Sequence, residues 1–135
     1  MRNAAVIPLA RASIALAALG ALAAPAGAEP VRVFGYGGLL GEWELTTDVT
    51  EKTSAGAREF RGAVTLTHVG LCTQDGPEQR KGEIRIEMTG SAARLNATML
   101  FDGAACSYAA TLSDAYRGTM TCPDRPAMPL TLWVR

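Results

Sequence analysis

From Glu42 to Thr50 polar and apolar side chains alternate one by one: Glu42, Glu44, Thr46 and Asp48 against Trp43, Leu45, Thr47 and Val49. A period of two places each set on its own face of an extended chain, so the segment predicts a half-buried antiparallel strand. The polar run Glu51 to Gly56 ends it. A second strand is expected from Phe60 to Cys72, with Val64, Leu66 and His68 opposing Thr65, Thr67 and Val69, and with Gly70 bending or ending it. Cys72 to Gly82 reads as a polar connection around the turn signal Asp75-Gly76-Pro77. Glu83 to Met88 alternates most cleanly, and Thr89-Gly90-Ser91 turns the chain into a strand facing Leu95, Ala97, Met99 and Phe101 to one side. Asp102-Gly103 is a two-residue hairpin signal. Beyond it Cys106, Tyr108, Ala110 and Leu112 share a face, as do Tyr116, Gly118, Met120 and Cys122. Pro123 to Pro129 reads as a proline-punctuated loop before a last strand on Leu130, Leu132 and Val134.

This pattern makes seven strands, or eight if Val31 to Tyr36 joins the sheet, with no helical stripe. Short strands separated by regular turn signals predict an all-β protein. Connections short enough to be hairpins favour a small antiparallel β-barrel of seven or eight strands, with a β-sandwich as the alternative. About eight strands leave an interior that side chains can just fill. Trp43, Phe60, Met99, Phe101, Tyr108 and Met120 supply that bulk, so any ligand is expected at the rim.

Composition changes this picture mainly at the start of the chain. Arg2 and Arg11 precede or open an apolar run of 13 residues, Ala12 to Ala24, and Ala26-Gly27-Ala28 supplies a small-x-small cleavage pattern. The run falls short of the ~20 residues needed to span a bilayer. Residues 1–28 are therefore expected to be a cleaved signal peptide of bacterial type, with 29–40 an N-terminal arm and 41–135 a single β-barrel domain. The expected protein is periplasmic or secreted, monomeric, and not inserted in a membrane once cleaved. Arg2 and Arg11 leave with the leader, so the remaining 107 residues carry 11 cations against 13 acids, a formal charge of −2. Without a concentrated basic face, nucleic acid is not an expected partner.

Three cysteines remain, in a compartment that permits disulfides, and three single-bridge pairings are open to them. Asp114 lies midway between Cys106 and Cys122. If Ser113-Asp114-Ala115 is a three-residue hairpin loop, Leu112 faces Tyr116, and Cys106 falls opposite Cys122 on one face. That pairing ranks first, and closing its loop is worth roughly 3 kcal/mol. Cys72 is then a buried thiol or the site of an intermolecular bond.

The inventory for catalysis is sparse. His68 is the sole histidine, and Cys72 four residues on would lie ~13 Å away along a strand, too far to share a metal ion. Glu83 and Glu87 have the same ~13 Å spacing, beyond the reach of a glycosidase pair. No nucleophile elbow or phosphate-binding loop is present. The expectation is a non-enzyme with no catalytic residues, cofactor or metal. Binding is expected of Phe34, Tyr36, Leu39 and Leu40, aromatic and apolar side chains among Gly35, Gly37, Gly38 and Gly41, and of Arg125 in the stiff Pro123-Asp124-Arg125-Pro126 segment. Such an arm either inserts into a partner or covers the end of its own barrel. The expected partner is an unidentified protein or a small envelope ligand.

Gly41-Glu42-Trp43 ahead of an alternating strand resembles the first strand of the lipocalin-like, or calycin, barrels, where the tryptophan of Gly-x-Trp closes one end. Tyr116-Arg117-Gly118, followed by a final strand ending in Trp133, is similar to the closing strands of small periplasmic barrels such as the bacterial inhibitors of secreted metalloproteases. The resemblance implies that Gly41 and Trp43 plug the barrel and that Glu29 to Leu40 enters a protease cleft. It also implies inhibition of a secreted protease or other hydrolase as the alternative function. The chain departs from that family in its bridge, which the family carries near the start of the barrel.

Overall fold

A computed structural model describes residues 29–54, 57–70, 74 and 76–135. The expected signal peptide and Cys72 lie outside the described residues. Eight strands follow one another: β1 (Val31–Gly37), β2 (Trp43–Ser54), β3 (Ala57–His68), β4 (Gln79–Thr89), β5 (Arg94–Phe101), β6 (Ala104–Leu112), β7 (Tyr116–Cys122) and β8 (Arg125–Val134). Each runs antiparallel to the next, and β8 returns to pair with β1, closing an up-and-down barrel. The expected barrel holds, in its eight-strand form and not as the alternative β-sandwich, and full closure leaves no sheet edge along the paired strands.

Alternation places the core as expected. Along β5, Leu95, Ala97, Met99 and Phe101 are buried while the residues between them are exposed. Leu45, Val49, Ile86, Leu130 and Leu132 join them in the barrel interior, each 0 or 1% exposed. Two polar groups inside are satisfied by backbone carbonyls: Thr47 donates to Ala63 O at 2.6 Å, and the Tyr108 hydroxyl lies 2.8 Å from Leu130 O and 3.1 Å from Tyr116 O. Asp102 and Gly103 both take positive φ in the two-residue β5–β6 hairpin, as that dipeptide predicts.

Several boundaries differ from the sequence pattern. Val31–Gly37 is a barrel strand and not a separate arm. Its inward positions are Val33, Gly35 and Gly37, and glycines hide the apolar half of the alternation. Gly35 is required by close approach: a Cβ there would collide with Thr131 O and Leu132 Cδ2 on β8. Glu51 to Ser54 does not end β2 but continues it, pairing with Ala57 to Phe60 of β3. There Glu51 and Lys52 are both exposed, and Arg58 clasps Glu51 at 2.9 Å, so polarity replaces alternation. Finally, β8 begins at Arg125, inside the expected proline loop. Pro129 fits because its carbonyl accepts from Gly38 N on the β1 side. Its missing N–H faces that same side, where the β1 ladder has already ended at Leu130. Likewise β4 starts at Gln79, shortening the expected polar connection.

Candidate functional site

The two ends of the barrel are built differently. At the end where β4 turns into β5, Ala92 packs against the core, and its carbonyl accepts the Tyr116 hydroxyl at 2.6 Å. Tyr116 is 6% exposed and Ala115 2%, while Tyr108 beneath them ties β6 to the β7 and β8 carbonyls. Burial pushes the Tyr108 phenol well above its ordinary pKa, so it remains a donor at any physiological pH. That end is sealed.

The opposite end is a mouth. Trp43 opens β2 there, half-buried against the core, with the His68 ring edge-on at 4.5 Å. His68 keeps the parity of Val64 and Leu66 but stands at the last position of β3, so it meets the rim instead of the core. The Cys106–Cys122 disulfide crosses from β6 to β7 at this end, as the hairpin about Asp114 predicts: Leu112 pairs with Tyr116, and the S–S distance is 2.06 Å. Inside the lip lies a recess of about 40 Å³, lined by Trp43, Leu66, Phe101 and Met120 with Arg80 and Arg125.

The residues singled out in sequence fall into three places. Phe34 and Tyr36 lie on the outer face of β1. Phe34 stacks on Trp133 of β8 at 5.5 Å, and Tyr36 meets the same indole edge-on at 6.3 Å. Arg135 covers Phe34 at 5.0 Å, so the faces of Phe34 are occupied and the cluster clasps the β1–β8 seam. Leu39 and Leu40 form the β1–β2 turn and are 90% and 92% exposed. Arg125, at the start of β8, lies over the Trp43 ring at 5.9 Å. Tyr36 and the leucine pair adjoin, since Gly41 sits beside the Tyr36 Cβ. Arg125 belongs instead to the mouth.

Two contributors escaped the sequence pattern. The Glu42 carboxylate accepts the Leu40 N–H at 2.9 Å and fills the space beneath Gly38, which takes φ +92° with Gly41 at +68°. Bonds from its own backbone N–H and from Leu40 hold this carboxyl below its usual range. Glu42 therefore fixes the turn from below. A carboxylate two residues after a glycine-bounded pair was the available signal. The other is Arg80, 28% exposed at the mouth, paired with Glu78 at 3.7 Å.

Several arginines elsewhere are better matched. On the outer wall, Arg61 and Arg85 both engage Glu59, and Arg85 also meets Glu87 at 2.6 Å, beside a shallow depression of about 550 Å³. Among the described residues no group of three or more histidines, cysteines or acids is placed to hold a metal ion. Comparison with protein families, with characterised proteins and with solved structures found no match.

Proposed function

We propose that the protein is a non-catalytic binding or accessory module of the periplasm or secreted space, recognising a partner protein through its β1–β2 turn. One observation carries the reading: Leu39 and Leu40 are held almost wholly in water on a turn that Glu42 fixes from beneath. Burying a leucine is worth roughly 1.5–3 kcal/mol, so the pair offers roughly twice that to a complementary cleft. A turn shaped in advance loses little of this gain to ordering. The disulfide supports an oxidising compartment.

The test is affinity capture on the oxidised protein beside a Leu39→Ser/Leu40→Ser double variant with an unchanged melting temperature. A discrete component held by the first and lost by the second supports the reading; equal capture by both sinks it. The same constrained turn supports a second reading, inhibition of a secreted hydrolase. In that reading the turn, not a free arm, enters the cleft, because Val31–Gly37 is committed to the barrel. A hydrolase slowed by the protein and unaffected by the double variant would favour it.

A further inference from the structure

The mouth combines an apolar recess with cations that, among the described residues, lack matching acids. Its deep side is formed by Leu66, Phe101 and Met120, all 5% exposed or less, and by the disulfide. At its lip, Arg125 makes no ion pair among the described residues; its guanidinium rests on the Trp43 ring. Arg80 is largely withdrawn from water, yet the one acid paired with it among the described residues, Glu78, lies 3.7 Å away and is itself 59% exposed. Among the described residues, two guanidinium groups thus share less than one well-placed carboxylate. This differs from the outer wall, where Arg61 and Arg85 are both committed to Glu59.

We propose that this mouth binds a carboxylate joined to a short branched alkyl group, the alkyl entering the recess and the carboxylate held by Arg80 and Arg125. Size sets the alkyl part. A space of about 40 Å³ exceeds the ~10–15 Å³ that one water requires, and suits a group of a few carbons instead of a ring or a long acyl chain. Charge and shape set the head, because guanidinium groups pair with planar carboxylates through parallel N–H···O bonds. A bare inorganic anion would meet the arginines but leave the apolar recess unfilled. Two sources present this chemistry: the C-terminal residue of a peptide ending in leucine or valine, and a free short branched acid. The inference uses the mouth and not the β1–β2 turn, so either can fail without the other.

The protein, expressed with its own leader and purified oxidised, is titrated with isovalerate, N-acetyl-leucine and isovaleramide while the two indole N–H signals are followed by NMR. Trp133, on the outer seam, serves as the internal reference. The expected result is a saturable shift of the Trp43 signal with the acids while Trp133 stays still. Isovaleramide should bind about tenfold to a hundredfold more weakly, the range that charge-assisted hydrogen bonds support. Arg80→Gln/Arg125→Gln should lose a similar factor, and Leu39→Ser/Leu40→Ser should lose nothing. Tighter binding of N-acetyl-leucine assigns the site to peptide termini, and tighter binding of isovalerate assigns it to free acids. Absence of a saturable Trp43 shift with both acids overturns the proposal. So does equal binding of amide and acid, a comparison made on the unaltered protein and independent of how the arginine variant folds.

Discussion

The sealed end and the mouth are made from the same eight strands, but they are closed by different physics. At the sealed end, tyrosine hydroxyls bind backbone carbonyls: Tyr116 reaches Ala92, and Tyr108 reaches Leu130. Such bonds need fixed partners, and the carbonyls of Ala92, Tyr116 and Leu130 provide them. At the mouth, strand ends are joined by a covalent bridge, and the lip is left to Trp43, Arg80 and Arg125. A disulfide holds two strands without occupying hydrogen-bonding groups or filling the opening. The comparison teaches that the mouth can stay open to solutes without loosening the barrel. Recognition is then best sought there and on the adjoining turn.

Removing the bridge should have the largest effect. Cys106→Ala/Cys122→Ala opens a loop with a sequence separation of 16 and should cost about 3 kcal/mol. At about 4–8 °C per kcal/mol for a domain of this size, the melting temperature falls by roughly 12–24 °C. Hydrogen exchange should accelerate first in β7 beside Cys122 and in β8 beside Arg125. Equal acceleration at Tyr116 would erase the distinction between the ends.

Tyr108→Phe should cost about 2 kcal/mol in chemical denaturation, because it strips the donor from two buried carbonyls. Tyr116→Phe, whose hydroxyl is less deeply placed, should cost about 1 kcal/mol. If both are neutral, the tyrosine bonds do not seal that end.

Acid should weaken the barrel surface, most of all toward the sealed end, where Asp114 sits in the β6–β7 turn. Asp48 is held below its ordinary pKa by Arg32, Glu51 by Arg58, Glu59 by Arg61, and Asp114, most strongly, by Arg117 and Ser113. A carboxyl lowered on folding adds stability above its unfolded pKa of ~4, and that stability is lost as pH falls through the folded value. The melting temperature should therefore decline steadily below about pH 5, and Asp114→Asn should flatten the most acidic part of the curve. A melting temperature unchanged down to pH 2.5 would show that these pairs contribute nothing.

The smallest effect on stability should come from Leu39→Ser/Leu40→Ser, within about 0.5 kcal/mol, because both side chains are already in water. A larger loss, read by thermal melting, would mean that the turn packs against its own barrel.

How much of this was legible beforehand depended on whether burial left its mark on alternate residues. β5 and the core of β2 carry that mark plainly, and the symmetry of the chain about Asp114 paired Cys106 with Cys122. β1 did not, because its inward glycines give way to the backbone and side chains of β8 and carry no apolar side chain of their own. The far end of β2 did not, because Glu51 and Lys52 are both exposed there. Tyr36, Leu39, Leu40 and Arg125 stood out in the sequence as exposed aromatic, apolar or stiffly held residues. Arg80 did not, since only the barrel's curvature brings it to the same recess as Arg125.

The seam between β1 and β8 carries a consequence for the order of events in the life of the chain. Arg32 and Arg135 exchange backbone hydrogen bonds at 3.2 and 2.8 Å, joining segments about a hundred positions apart. A polypeptide threaded through a membrane pore, or emerging from a ribosome, cannot make those bonds until β8 is free. Before that moment β1 has only one neighbour, and the sheet is an open ribbon. Closure of the cylinder therefore waits for β8, and the β1 edge is open to any other strand until β8 arrives.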